Sequence, residues 1–294
     1  MSNTLETEES NINQENYNQE QSSQEKTIYN TNSLPNINAI CFNPNPVIKS
    51  IKTQNEKSNS IPYFFSRQFI LNSFVDQQLT IFLQKQLREE NIETIEFIVN
   101  ELKGAYSDII KDKNGNYFCS DLFKVCEEKH RIKILEELSP KICEYCLNYF
   151  AHHPIDVLIA KAKSEIEYKY ILSSFNNYNN FLSASLSPTG CYTIKKIIEH
   201  IPFQFRNEFN LIFISSIGFI SKKKFGIIIV KKFIENTKSE NINLLVMDFV
   251  RKNFMNLAVN EYANYLIQFL LKIWNNTPEG NEIKEFIFKH FQEM

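Results

Sequence analysis

The sequence predicts an all-α fold, a solenoid of stacked helical repeats preceded by a disordered tail. Three observations carry that prediction. The 294 residues are 43% apolar but hold only 6 Gly and 9 Pro, too few for the turns of sandwiches and barrels or the phosphate loops of dinucleotide-binding folds. From Tyr63 onward Phe, Ile and Leu recur at helical spacing. Short similar segments also return at a nearly constant interval, the signature of a repeat architecture.

Residues 1–60 differ from the rest. They are rich in Asn, Gln, Ser and Glu, contain Tyr17, Tyr29 and Phe42 as their only aromatics, and carry 4 Lys against 7 Glu. Such a segment buries too little apolar surface to offset the entropy of ordering, so 1–60 reads as a disordered tail and 61–294 as the repeat domain. The first residues, MSNTLETEES, lack the apolar core of a signal peptide. The longest apolar stretch, Phe209 to Ile220, runs into Lys222, Lys223 and Lys224 and falls short of the roughly 20 residues a spanning helix needs. Six irregularly spaced cysteines (41, 119, 126, 143, 146 and 191) suit a reducing compartment better than a disulfide scaffold. The expectation is a soluble, cytoplasmic monomer without membrane contact.

Six segments carry the repeat: LTIFLQKQL (79–87), GNYFCSDLF (115–123), IDVLIAKAK (155–163), GCYTIKKII (190–198), GIIIVKKFI (226–234) and ANYLIQFLL (263–271). Their second residues fall at 80, 116, 156, 191, 227 and 264, giving intervals of 36, 40, 35, 36 and 37. Each unit is too small to bury its own apolar face, so stacking neighbours must complete the core. The apolar pairs Phe82 and Leu83, Leu158 and Ile159, Ile229 and Val230, and Leu266 and Ile267 should point inward. The two residues before each pair and the one after it should share an exposed face, repeat after repeat.

These residues resemble the Pumilio (PUF) family of RNA-binding helical repeats. KDKNGNYFCSDLFKVCEEKHRIKIL (111–135) is similar to a PUF repeat, VNEYANYLIQFLL (259–271) to the last one, SKKKFGIIIVKKFIENT (221–237) to the one before it, and FVDQQLTIFLQKQL (74–87) to the first. The likeness is strongest in repeats two, four and six and weakest in repeat three. IKEFIFKHF (283–291) resembles the half-repeat that caps the C-terminal end. The resemblance implies a right-handed α-solenoid of three-helix repeats, about six here where eight are common. It implies binding of single-stranded, uracil-containing RNA in messenger 3′ untranslated regions, one base per repeat. It also implies post-transcriptional control of messages through deadenylase or translational repressor partners.

In that family two side chains one helical turn apart read a base edge and a third stacks between bases. Amides suit the edge because they carry donors and an acceptor. Carried over, Asn264 and Gln268 grip a uracil edge while Tyr265 stacks. Repeat two offers Asn116 and Tyr117 with Ser120 in the glutamine place. Repeat one offers Thr80 and Gln84, with Ile81 replacing the aromatic. Repeat four offers Cys191 and Tyr192, with Lys195, a donor only, in the glutamine place; Cys beside Gln commonly reads adenine in this family. Repeats three (Asp156, Val157, Ala160) and five (Ile227, Ile228, Lys231) read as having lost the code.

Net charge is -2, yet 195–232 holds Lys195, Lys196, Arg206, Lys222, Lys223, Lys224, Lys231 and Lys232 against Glu199 and Glu208, a local excess of 8 minus 2, or +6. Lys222, Lys223, Lys224, Lys231 and Lys232 are candidates for holding RNA phosphates, or they form an ordinary solvated face. Cys143 and Cys146 form a CxxC followed by His152 and His153, a possible zinc set. No second CxxC exists, and the stretch reads as helix in which both thiols pack as small apolar groups. His200 and His290 have no partner pattern for catalysis, and P-loop, GxGxxG and HExxH motifs are lacking. The reading is a binding protein rather than an enzyme, with no cofactor and no metal. Two alternatives remain: a protein-interaction scaffold, motivated by repeats three and five, and a nonspecific RNA binder of the ribosome-assembly type, against which the acidic tail speaks.

Overall fold

The computed structural model describes residues 63–89, 91–237 and 240–290. The tail expected over 1–60 lies outside the described residues, as does Cys41. Among the described residues the regular elements are all helical. Three repeats follow one plan: α1 (Arg67–Ser73), α2 (Gln77–Leu87) and α3 (Ile92–Glu101); then α4 (Tyr106–Ile109), α5 (Gly115–Val125) and α6 (Glu128–Leu138); then α7 (Ile142–Leu147), α8 (His152–Lys161) and α9 (Glu165–Ser173). The fourth opens with α10 (Tyr178–Leu186) and α11 (Gly190–His200).

From there the three-helix plan changes. α12 (Asn207–Ile220) occupies the end of repeat four and the start of repeat five, before α13 (Gly226–Asn236). α14 (Glu240–Ala258), 19 residues long, joins repeats five and six, before α15 (Asn264–Ile273) and α16 (Pro278–His290). The cause is local. Between α3 and α4 the chain turns at Gly104, whose φ is +79°, and between α6 and α7 it passes through Pro140. Within α14 there is neither Gly nor Pro, so nothing stops the helix.

The second helix of most repeats begins with one side-chain device. Asp76 accepts hydrogen bonds from the backbone N–H groups of Gln78 (2.7 Å) and Leu79 (3.1 Å). Asp112 does the same for Asn114 (2.8 Å) and Gly115 (2.7 Å). Asn148 serves Phe150 and Ala151 (both 3.0 Å), Ser187 serves Gly190 (3.2 Å), and Asn260 serves Tyr262 (3.1 Å) and Ala263 (2.9 Å). These bonds satisfy N–H groups that a helix start leaves open. Lys223 takes this place in the fifth repeat and cannot accept. The turn also brings two backbones together: a Cβ added at Gly190 would stand 2.5 Å from the Ala184 carbonyl oxygen, and one at Gly226 2.1 Å from that of Ile220.

The device corrects the register of the third repeat. Each turn residue precedes the first face position by four: 76 and 80, 112 and 116, 187 and 191, 260 and 264. Asn148 therefore places His152 there, followed by His153 and Asp156. Ala151 stands where Gly115, Gly190 and Gly226 stand in their repeats. The face positions become 80, 116, 152, 191, 227 and 264, with intervals of 36, 36, 39, 36 and 37. The expected register of Asp156, Val157 and Ala160 is four residues late, about one helical turn. A slip of that size keeps an apolar stripe in phase, which is why the pattern alone could not detect it.

With the register corrected, one stripe runs through all six second helices. Leu83, Cys119, Ile155, Ile194, Val230 and Ile267 occupy the same place and are buried. Leu87, Phe123, Ile159, Ile198 and Ile234 follow one turn later, also buried; each such side chain is worth about 1.5–3 kcal/mol in apolar burial. Helices α2, α5, α8, α11, α13 and α15 pack each against the next, and α3, α6 and α9 do likewise behind them. A polar staple ties repeats two and three, where Arg131 Nε donates to Glu167 Oε1 (2.6 Å), and within repeat two Glu137 on α6 accepts from the backbone N–H groups of Gly104 (2.6 Å) and Tyr106 (2.9 Å) at the start of α4.

Candidate nucleic-acid interface

Three rows of side chains cross the six second helices. The middle row points outward: Ile81 (48% exposed), Tyr117 (56%), Tyr192 (52%), Ile228 (36%) and Tyr265 (51%), with His153 exposed between them. Four of its six members are flat rings on successive or near-successive helices, spaced by the packing of those helices. Rings held this way can stack on nucleobases.

The row one residue earlier is not exposed as expected. Thr80, Asn116, His152, Cys191 and Ile227 are all buried, and Asn264 is half-buried. The polar ones turn back onto carbonyls of the preceding turn, which lie within reach of a side chain in the first helical turn. Thr80 Oγ1 donates to Asp76 O (3.1 Å) and Ser73 O (3.2 Å). Asn116 Nδ2 donates to Asp112 O and Lys113 O (both 2.9 Å). His152 Nδ1 lies 3.2 Å from Asn148 O, Cys191 Sγ donates to Pro188 O (3.3 Å), and Asn264 Nδ2 donates to Asn260 O (2.8 Å). Burial pushes the Cys191 thiol up to about 12, so it stays neutral, with its one hydrogen on Pro188 O.

The third row, Gln84, Ser120, Asp156, Lys195, Lys231 and Gln268, varies in chemistry. Ser120 Oγ donates to Asn116 O (2.9 Å). Asp156 Oδ1 accepts from Thr193 Oγ1 (2.7 Å), and burial raises its carboxyl to about 7 against that hydrogen bond and the charge of Lys196. Gln268 Nε2 donates to Asn264 Oδ1 (3.1 Å), so the two amides of repeat six act as a pair. Lys195 and Lys231 are half-buried.

A Pumilio-family RNA binding repeat model matches residues 106–139, 180–208 and 253–276, the stretches that hold α5, α11 and α15. Pumilio homolog 12 of Arabidopsis thaliana is 21% identical over 230 residues, covering 77% of this chain and 38% of that protein. Among solved structures, PUF-8 in complex with PBE-RNA matches with a TM-score of 0.69 at 18% identity, over 85% of this chain and 71% of the other. The RNA-binding domain of yeast Puf5p bound to MFA2 RNA matches with a TM-score of 0.63 at 19% identity, over 69% and 57%. The chain carries Pumilio-type repeats over these three stretches. It spans 32–38% of the length of the first curated Pumilio relatives it matches.

Among the six repeats, the third departs from the expected register. His153 stands in the stacking row, and Asp156 in the row of Gln84 and Gln268. The signal that finds them is Asn148 four residues before His152. The CxxC cysteines are packing groups, as expected: Cys143 and Cys146 are buried, and Cys146 Sγ donates to Cys143 O (3.0 Å). No cluster of three His, Cys, Asp or Glu suited to a metal occurs among the described residues.

Part of the basic excess over 195–232 does not reach the surface as free charge. Arg206 is 2% exposed, with its guanidinium 5.8 Å from the Phe203 ring and 5.9 Å from the Phe233 ring, so it adds nothing to the surface. Lys232 pairs with Glu199 (3.0 Å) and Glu235 (3.7 Å). Lys223 and Lys224 are exposed and Lys222 half-buried, in the turn that leads into α13.

Proposed function

We propose that this chain binds single-stranded RNA across α2, α5, α8, α11, α13 and α15 and acts in post-transcriptional control of messenger RNA. Bases stack among Tyr117, His153, Tyr192 and Tyr265. Asn264 and Gln268 select one base edge, and the third-row groups of the other helices contribute unequally. Lys222, Lys223, Lys224 and Lys231 attract the phosphates, with Lys232 partly neutralised by its glutamates. The target is a uracil-containing 3′ untranslated region, the setting is the cytoplasm, and deadenylase or repressor proteins are the partners. The observation that carries the reading is the single outward row of rings, beside polar side chains, on consecutive packed helices. The RNA-bound state of the similar structures supports it.

The test is Asn264→Ala with Gln268→Ala in the full chain. The pair is expected to lose selectivity at one nucleotide while the helical signal and melting temperature stay unchanged. Tyr265→Ala removes a stack worth about 1–3 kcal/mol. Unchanged binding in all of these variants rejects the reading. The buried first row favours a second reading, a protein scaffold that no longer reads RNA. That reading predicts no RNA affinity and a stoichiometric protein partner in pull-downs.

A further inference from the structure

Repeats one and six both carry glutamine in the third row, but the two amides are held differently. Gln84 Nε2 donates to Asp121 Oδ2 (2.8 Å) and to Tyr117 O (3.2 Å), both on α5. An amide nitrogen has two hydrogens, and both are engaged. The reverse orientation would set the Gln84 carbonyl oxygen against a carboxylate and a backbone carbonyl, neither of which can donate, so the amide has one stable orientation. Asp121 is itself fixed. It is 4% exposed, and it accepts from Arg88 Nη2 (2.6 Å) and Lys124 Nζ (2.8 Å) as well. Along the equivalent places of the other five second helices stand Lys85, Val157, Lys196, Lys232 and Phe269, so Asp121 is the single acid of its row. Thr80, the other reader of repeat one, is 2% exposed with its hydroxyl spent on backbone carbonyls.

Repeat six is arranged otherwise. Gln268 uses one N–H on Asn264, and Asn264 uses one on Asn260 O. Each amide keeps an N–H, and Gln268 keeps its oxygen, so a base edge can meet donor and acceptor together. Gln84 presents an oxygen only. Every nucleobase carries at least one N–H on its Watson–Crick edge, so a lone acceptor does not choose among them.

We infer that Asp121 is a positioning residue that turns the Gln84 NH2 group inward and makes the first repeat an acceptor-only, weakly discriminating contact. The inference rests on the RNA reading proposed above. Its consequence is that RNA selectivity is concentrated away from the repeat-one end of the face, although repeat one carries a reading-type side chain.

The experiment measures the affinity of the full chain for RNAs carrying each of the four bases at each position in turn. The wild type is expected to show a spread below about threefold at the nucleotide facing repeat one and about tenfold or more at the one facing repeat six. Asp121→Ala frees the amide, and the repeat-one spread opens towards about tenfold; adding Gln84→Ala closes it again, as a coupled pair requires. Gln84→Ala alone removes the shared acceptor, so affinity falls by a similar factor for all four bases while the spread stays unchanged; this decides the matter if Asp121→Ala does not fold. A wild-type spread of tenfold at repeat one overturns the inference. So does an unchanged spread in folded Asp121→Ala, or loss of discrimination in Gln84→Ala. Absence of any base preference at every position is a different outcome, and rejects the RNA reading itself.

Discussion

Asp156 supplies a stability prediction independent of any ligand. Its carboxyl is half-buried between α8 and α11, holds the buried Thr193 hydroxyl, and faces Lys196 with the buried Cys146 and Cys191 thiols near it. Burial lifts it from 3.8 to about 7, more than Thr193 and Lys196 lower it. The sign follows from proton uptake. Below about pH 4 folded and unfolded chains both hold the proton. As pH rises from about 4 to about 7 the unfolded chain releases it while the folded chain keeps it, so stability falls across that window and is flat above it. The whole shift corresponds to ~4 kcal/mol, and partial water access at this half-buried site reduces the expectation to ~2 kcal/mol. Asp156→Asn keeps an acceptor for Thr193 and cannot ionise. Urea denaturation followed by the helical circular dichroism signal measures both proteins at about pH 4.5 and about pH 8. The variant is expected to gain ~1–2 kcal/mol over the wild type between the two conditions. Carboxylates held low by their partners, such as Glu167 and Glu199, cancel in the difference. An equal gap at both pH values, or one that shifts towards the wild type at alkaline pH, refutes the reasoning.

Other outcomes test the repeat geometry and the face. Gly226→Ala drives a Cβ against the Ile220 carbonyl oxygen and is expected to cost ~1–3 kcal/mol in chemical denaturation; a neutral result refutes the close approach. Asp112→Ala removes two N–H partners from the start of α5 and is expected to lower stability by ~1 kcal/mol. His153→Ala is expected to weaken RNA binding by ~1–3 kcal/mol with no change in melting temperature, whereas the uncorrected register predicts no effect there.

The fold was legible because burial imposes a stripe at i, i+3 and i+4, and the stripe recurs at Leu83, Cys119, Ile194, Val230 and Ile267 at nearly equal spacing. The same periodicity hides slips of one turn, so repeat three needed the turn chemistry of Asn148 to be placed. Tyr117, Tyr192 and Tyr265 were legible as outward rings because each directly precedes a buried pair. The burial of Thr80, Asn116 and Cys191 was not, since it depends on carbonyls that the turn brings within reach. The Gln84–Asp121 contact was not legible either. It joins residues 37 apart across two helices, and nothing in either local segment announces it. Asparagine, abundant throughout, serves turns and caps at Asn91, Asn148, Asn177 and Asn260 as well as the face.

The central claim is that the row of second helices binds RNA with base preference. The most direct measurement is the affinity of the full chain for a short UGU-containing RNA and for its scrambled counterpart, by fluorescence polarisation over a range of salt. Tighter binding of the UGU-containing RNA, with affinity falling as salt rises, is the result expected. Equal affinity for both, insensitivity to salt, or no binding contradicts the account.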